Sequence, residues 1–159
     1  MNFKQKAVMF LATGGFIGNI SFAPGTFGTI LGLPLCFLLS KTDLLVAVLL
    51  TGVFIFFAVL VSQEAEKILG KKDPGAIVID EIAGIVVTLI GLPFNLFFAA
   101  AGFIIFRVLD IFKPYPIRLL EKHFSGGAGI VLDDVAAGIL SNLVLRTILF
   151  INPLNMMNL

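Results

Sequence analysis

The sequence predicts an all-α fold, a polytopic membrane helical bundle formed by one membrane-embedded domain over residues 1–159. Hydrophobic residues make up 58% of the chain and charged residues 13%, whereas soluble domains carry about 25% charged residues. Four stretches contain no charged residue: 7–40, 44–63, 82–106 and 147–159. Because a spanning helix needs about 20 apolar residues, and backbone groups in lipid must pair within their own segment, we expect helices in these stretches.

The composition also excludes several classes of protein. So few charges cannot cover the surface of a soluble domain, and such high hydrophobicity is incompatible with a disordered chain. A net charge of +1 without a basic stripe argues against a nucleic-acid partner. The single cysteine, Cys36, excludes an internal disulfide framework and a cysteine metal cluster. We expect Cys36 to be a small buried apolar residue.

The N-terminal part of the chain is predicted to be irregular. The first apolar run, at about 3–18, is interrupted by Gly14, Gly15 and Gly18. We therefore predict a helix or a re-entrant segment there, followed by a Pro/Gly loop at 19–26.

Five longer helices are predicted after that loop. Asp73-Pro74 combines an N-cap residue with a proline at the first helical position. The turn sequence at 91–95 interrupts the third charge-free stretch, Pro114 and Pro116 stop the next helix, and the glycines at 126–129 mark a loop. The expected helices cover about 27–40, 44–68, 74–91, 96–112 and 130–149.

Positive charge predicts the orientation in the membrane. Lys4 and Lys6 precede the first apolar run, and the segments at 62–76 and 111–129 carry most of the other lysines and arginines, Lys122 among them. Positive segments stay cytoplasmic. We therefore expect the N-terminus and both of these segments on the cytoplasmic side.

Five acidic residues are embedded in apolar sequence: Asp80, Glu81, Asp110, Asp133 and Asp134. They lie near the cytoplasmic ends of three predicted helices, so the topology brings them together at one membrane face. Ionisable groups at membrane depth are costly and indicate a functional site. Structural ion pairing is the alternative, but few embedded cations accompany these carboxylates, so we expect a bound divalent cation to balance their charge.

The donor types narrow the choice of metal. With one histidine, His123, and no cysteine cluster, zinc is disfavoured. All-oxygen donors favour Mg²⁺, Mn²⁺ or Ca²⁺, and Mg²⁺ commonly also binds substrate phosphate. The set therefore points to phosphate chemistry. His123 itself is expected to be an interfacial polar residue.

Basic and small residues accompany the acids. Arg107 shares a helix face with Asp110, and Lys113 follows at the helix end, where both cations could hold phosphate. Thr26 opens a predicted helix, where backbone N–H groups could also bind phosphate. Gly84 and Gly138 follow the acidic pairs by four residues and would let their helices approach closely.

Four sequence blocks occur in a specific order and spacing: 23–29, 79–84, 106–117 and 126–138. Together they closely resemble the phosphatidylglycerophosphatase A family, except that Tyr115 stands where some relatives carry tryptophan. The resemblance implies an all-α fold with a central helix surrounded by others. It also implies a Mg²⁺-dependent phosphatase of the bacterial inner membrane. Its partners would be membrane lipid and its substrate, phosphatidylglycerophosphate, which it would convert to phosphatidylglycerol. The multi-pass arrangement rests on the composition, and an active site that faces the cytoplasm is expected from the positive-inside pattern.

Carried over by position, the resemblance implies roles for individual residues. The five embedded carboxylates would be the catalytic and metal-binding set. Arg107 and Lys113 would be the phosphate-binding candidates, and Glu64 is an assisting residue in some relatives. Thr26 completes the substrate-binding candidates through its place at a helix start. The attacking group is either a water or an aspartate, and one or two ions could bind.

Two other functions are alternatives to a phosphatase. A CDP-alcohol phosphatidyltransferase also uses Mg²⁺ and membrane carboxylates, but its Asp-Gly-x-x-Ala-Arg motif is missing from the sequence. A cation transporter would need carboxylates across the membrane midplane, whereas these five are expected at one face.

Overall fold

Six α-helices form the described part of the chain, residues 1–115, 117–118 and 123–151 of the computed structural model, and no strand occurs there. The turn-forming Pro116 and the cytoplasmic Lys122 of the sequence analysis lie outside these residues. A short 3-10 turn at Ile17–Asn19 follows the first helix. The helices are α1 (Phe3–Ala12), α2 (Pro24–Leu39), α3 (Leu44–Leu69), α4 (Ile79–Leu89), α5 (Leu96–Phe112) and α6 (Gly126–Ile151).

Helix α4 lies at the centre of the fold. Nine of its 11 residues are buried, and it packs against α2, α3, α5 and α6. Most of its side chains are small or β-branched, which allows four neighbours to approach it. The fold is therefore a ring of helices around one short buried helix.

Glycines bring the neighbouring helices close to α4. On α2, a Cβ at Gly28 would lie 2.7 Å from Val78 Cβ, and one at Gly32 would overlap Ile85. On α6, a Cβ at Gly138 would lie 2.5 Å from the carbonyl oxygen of Gly84. The close approach predicted for Gly84 and Gly138 is confirmed.

The direction of the helices follows from these contacts. Gly138 lies beside Gly84, and Asn142 donates to the carbonyl of Thr88, so α6 runs parallel to α4. Helix α5 runs antiparallel to α4, since Arg107 lies near Glu81 and Gly102 near Leu89. The beginnings of α2, α4 and α6 and the end of α5 therefore meet at one end of the bundle.

The outside of the bundle is strongly apolar. Helices α3 and α6 are each long and apolar enough to cross a membrane, since 26 residues of helix extend about 39 Å. Large apolar side chains such as Leu45, Val53 and Phe56 are exposed along α3. Helix α4, with 11 residues, extends only about 16 Å and is too short to span the ~30 Å hydrocarbon layer.

Three predicted boundaries are wrong, and the first is the end of the helix or re-entrant segment predicted at about 3–18. Helix α1 ends at Ala12, because Gly14, Gly15 and Phe16 all adopt positive φ angles. The predicted loop at 19–26 is shorter than expected, because α2 already begins at Pro24.

The second wrong boundary is the start of the central helix. Asp73-Pro74 does not begin it: Asp73 has a φ of 44°, and α4 starts at Ile79. The backbone between these residues forms other hydrogen bonds and not those of a helix. Ile77 N–H donates to Pro74 O in a turn, and Val78 N–H donates to Ala12 O at 2.8 Å. This last bond ties the end of α1 to the start of α4.

The third wrong boundary is the glycine loop before the last helix. Residues 126–129 are the first turn of α6 rather than a loop. A Cβ at Gly127 would overlap the backbone carbonyl of Val59, so small residues are needed where α6 starts against α3. The glycines at the start of α6 therefore allow this helix to pack closely against α3.

Candidate active site

Three carboxylates form the centre of the site at the end of the bundle where α4 and α6 begin. Asp80, Glu81 and Asp134 each offer a carboxylate oxygen, and these oxygens lie within 4.8 Å of one another. Asp80 and Asp134 are 8% and 3% exposed. The close packing of α4 on α6 at Gly84 and Gly138 produces this convergence.

The same three carboxylates have buried oxygens that lack hydrogen-bond partners among the described residues: Asp80 Oδ1, Glu81 Oε2 and Asp134 Oδ2. A buried, unpartnered charge is strongly unfavourable. Hard divalent cations bind carboxylate oxygens. The donor set and the orphaned oxygens therefore fit a divalent metal ion held between α4 and α6.

Asp110 lies beside this centre and forms an ion pair. Arg107 Nη1 donates to Asp110 Oδ2 at 2.6 Å and lies 3.6 Å from Glu81 Oε1. The i, i+3 spacing on α5 predicted that Arg107 lies beside Asp110, and this position is confirmed. Arg107 therefore links Asp110 to the three-carboxylate centre.

Asp133 is also paired with a cation. Lys113, which follows α5 in a left-handed backbone conformation, donates through Nζ to Asp133 Oδ2. Asp133 is buried, and its Oδ1 accepts from the backbone N–H of Asp134. Lys113 is thereby directed toward the carboxylates from the end of α5.

Electrostatics connect all five acids into one cluster. Asp110 interacts with Glu81, Asp133 and Asp134, and Asp133 also interacts with Asp80. The predicted convergence of the five carboxylates is therefore observed. In the described part of the chain, the two cations paired with them are Arg107 and Lys113, which leaves negative charge for a metal ion to balance.

The start of α2 closes one side of the cluster. A Cβ at Gly25 would overlap Glu81 Oε1 and lie 3.0 Å from Arg107 Nη2. Thr26 follows in the same turn, but its backbone N–H already donates to Ala23 O. Of the groups of Thr26, its side-chain hydroxyl is the one left to contact a phosphate.

Comparison with known proteins shows the family of the chain. A family model described as phosphatidylglycerophosphatase A matches residues 10–149. The chain belongs to the phosphatidylglycerophosphatase A family. Membership makes it a phosphatase enzyme, as the sequence predicts.

Curated relatives are similar over most of their length. Phosphatidylglycerophosphatase A of Escherichia coli (strain K12) is 38% identical over 132 residues, which cover 82% of this chain and 77% of the relative. The protein of the same name from Haemophilus influenzae is 34% identical over 87% of this chain and 86% of its own. A Bacteroides thetaiotaomicron protein, provisionally named a phosphatidylinositol-3-phosphatase, is 37% identical over 82% of this chain and 86% of its own. No solved structure matches the chain significantly.

Several polar residues of this phosphatidylglycerophosphatase A family member were not predicted. Gln63 on α3 accepts through Oε1 from the backbone N–H of Gly127 at 2.9 Å and so caps α6. At the far end of α4, Asn142 donates to the carbonyls of Thr88 and Ile90, and Arg146 donates to Asn142 and to Ile90. Asn142 and Arg146 form a polar pair four residues apart in an apolar helix, and this spacing could have identified them from the sequence.

His123 and Cys36 also have defined places. His123 is exposed and lines a cavity of about 910 Å³ that reaches Asp133. Cys36 is buried and donates weakly to Ile85 O, which confirms it as a small core residue. Glu64 lies on α3 and pairs with Lys67 at 2.7 Å, and no ion pair among the described residues joins it to the carboxylate cluster.

Proposed function

We propose that the chain is a Mg²⁺-dependent phosphatase that hydrolyses phosphatidylglycerophosphate to phosphatidylglycerol and inorganic phosphate. It would do so as a multi-pass protein of the bacterial inner membrane, in the last step of the synthesis of that phospholipid. The observation that carries the proposal is a group of three carboxylates, two of them buried. Each offers an oxygen within 4.8 Å of the others, and each has a buried oxygen without a hydrogen-bond partner among the described residues. The names of the Escherichia coli and Haemophilus influenzae relatives supply the substrate.

The surroundings of the site support a lipid substrate. The cluster lies at one end of a bundle whose outer surface is apolar along α3 and α6. Acyl chains can therefore stay in the bilayer while the terminal phosphate of the head group reaches the carboxylates. The positive-inside pattern places this end on the cytoplasmic side.

Asp80, Glu81 and Asp134 would hold Mg²⁺, which neutralises phosphate charge and makes the phosphorus more electrophilic when bound. Asp110 and Asp133 are engaged with Arg107 and Lys113, so we assign them first to the positioning of these cations. The prediction that all five carboxylates bind metal stays a prediction. Whether one or two ions bind also stays open.

Arg107 and Lys113 would stabilise the phosphoryl oxygens as charge develops on them in the transition state. The oxygen of the attacking group forms a bond to phosphorus, and the bond from phosphorus to the glycerol oxygen breaks. When water attacks, a carboxylate takes its proton, and the glycerol oxygen leaves with a proton supplied by the site. An aspartate nucleophile would instead form an aspartyl phosphate, which water then hydrolyses.

The position of the acids favours this function over a cation pathway. The embedded carboxylates lie at one end of α4, whereas Asn142 and Arg146 donate hydrogen bonds to backbone carbonyls at its other end. A pathway for cations would need acidic groups farther along the bundle. A phosphatidyltransferase would form a phosphodiester and would release no inorganic phosphate.

Phosphate release from phosphatidylglycerophosphate by the detergent-purified protein, with Mg²⁺ and with chelator, tests the proposal. Asp80→Asn is expected to reduce the Mg²⁺-dependent rate at least 100-fold, because it removes a buried metal ligand. Asp43→Asn makes the same chemical change at an exposed position before α3 and is expected to keep the wild-type rate. Release that is independent of Mg²⁺, or equal in both variants, would contradict the proposal.

A further inference from the structure

A cavity of about 910 Å³ adjoins the carboxylate cluster, and we call it the side cavity. It lies between the end of α3, the segment before α4 and the start of α6. Asp133 lines it from the cluster side, so the two sites share a residue. Its other charged lining residues are Glu66, Lys72, Asp73, Arg118 and His123. Its volume lies within the range of about 300–1,000 Å³ typical of small-molecule sites.

The turn that carries Lys72 has a defined conformation. Asp73 adopts a φ of 44°, and its backbone N–H donates to Glu66 Oε1 at 3.1 Å. A non-glycine residue in this region is strained and persists where its surroundings hold it. Asp73 also interacts electrostatically with Asp133. The turn is therefore positioned beside the carboxylate cluster.

The chemistry of the side cavity complements a phosphoglycerol group. Lys72 and Arg118 are exposed cations that can bind phosphate oxygens. Glu66 and Asp73 are acceptors that can bind glycerol hydroxyl groups. Cations and carboxylates together fit a ligand that contains both phosphate and hydroxyl groups better than they fit a bare anion.

We propose that the side cavity binds the phosphodiester part of the substrate head group, an inference that rests on the proposed function. Lys72 and Arg118 contact the diester phosphate while the terminal phosphate lies at the carboxylate cluster. The cavity would then select lipids that carry two phosphates joined by glycerol. Inorganic phosphate, the released product, is the other source of the same chemistry, and the test separates the two.

The test measures kcat and KM for phosphatidylglycerophosphate with the full-length protein in detergent and Mg²⁺. The variants are Lys72→Ala and Arg118→Ala, with Lys72→Arg as the conservative variant. Lys71→Ala is the matched control, because Lys71 is exposed in the same turn but does not line the side cavity. Inhibition is measured with two soluble probes, the diester glycerophosphoglycerol and inorganic phosphate.

Each alanine variant is expected to raise KM about tenfold, the effect of losing one charge-assisted hydrogen bond, with kcat within twofold. Glycerophosphoglycerol should inhibit these variants about tenfold more weakly, with inhibition by inorganic phosphate unchanged. Lys72→Arg and Lys71→Ala should resemble the wild type.

Three results would overturn the proposal: an unchanged KM in an active enzyme, weaker inhibition by inorganic phosphate alone, or a fall in kcat alone. In each case the proposed function would stand. A wild-type protein that releases no phosphate would instead overturn the proposed function, and the role of the side cavity with it.

Discussion

The contact between α4 and α6 at Gly138 makes a quantitative prediction for Gly138→Ala. A Cβ there would lie 2.5 Å from the carbonyl oxygen of Gly84 and 3.0 Å from Val87 Cβ. The first of these atoms is backbone, so no side-chain rotation relieves the overlap. Because ordinary contact begins at 3.4 Å, the two helices must separate by about 0.9 Å.

That separation matters because the proposed metal ligands lie on both helices. Asp80 and Glu81 are on α4, and Asp134 is on α6. Metal sites tolerate deviations of about 0.2 Å in ligand distance, and a displacement of about 1 Å at a reacting centre lowers rates roughly 100-fold. Overpacking of a buried contact also costs about 1–3 kcal/mol of stability.

The assay is Mg²⁺-dependent phosphate release together with the thermal unfolding midpoint in detergent. Gly138→Ala is expected to lose about 100-fold in rate and to unfold at a lower temperature. Gly52→Ala is the matched control, because nothing lies within 4 Å of a Cβ at that position on α3. It should keep its activity and gain up to about 1 kcal/mol from helix propensity. A wild-type rate and stability in Gly138→Ala would show that the Gly138 contact does not set the distance between the ligands on α4 and α6.

Two further predictions concern the opposite ends of α4. Asp134→Asn should unfold at a higher temperature than the wild type in chelator, because it removes a buried charge beside Asp80 and Glu81. Mg²⁺ at 100 times its Kd should stabilise the wild type by about 2.7 kcal/mol and the variant much less; equal stabilisation of both would contradict the metal assignment. Asn142→Ala should lose about 1–3 kcal/mol of stability, because it leaves the Thr88 carbonyl without its donor and removes one of the two donors to the Ile90 carbonyl. Its kcat should stay within twofold, and a large loss of rate with normal stability would show that Asn142 has a role in the reaction.

The local chemistry of the site was readable from the sequence. Carboxylates embedded in apolar runs are rare enough to identify candidates one by one, and the i, i+3 spacing of Arg107 and Asp110 predicted that these residues lie side by side, as they do in the structure. The positive-inside pattern then predicted that the acids would meet at one end. These inferences depend on composition and helix periodicity, which any single sequence carries.

Helix boundaries were predicted less well where tertiary contacts override local preference. Asp73-Pro74 has the residues of a helix start, yet Val78 N–H bonds to Ala12 O and the helix begins later. The glycines at 126–127 look like a loop, yet they form a helical turn because α6 begins directly against Val59 and Gln63. In both cases the deciding partner is more than 60 residues away in the chain.

Composition and helix periodicity were enough to predict a helical, apolar chain, and the embedded acids predicted a site for phosphate chemistry. That Asp80, Glu81 and Asp134 form the compact centre, while Asp110 and Asp133 pair with cations, becomes visible only in the folded chain. The physical reason is that helical periodicity defines which face a residue occupies. The distance between two faces depends on how closely the helices pack, and here that distance is set by the contact of Gly138 with the backbone of Gly84.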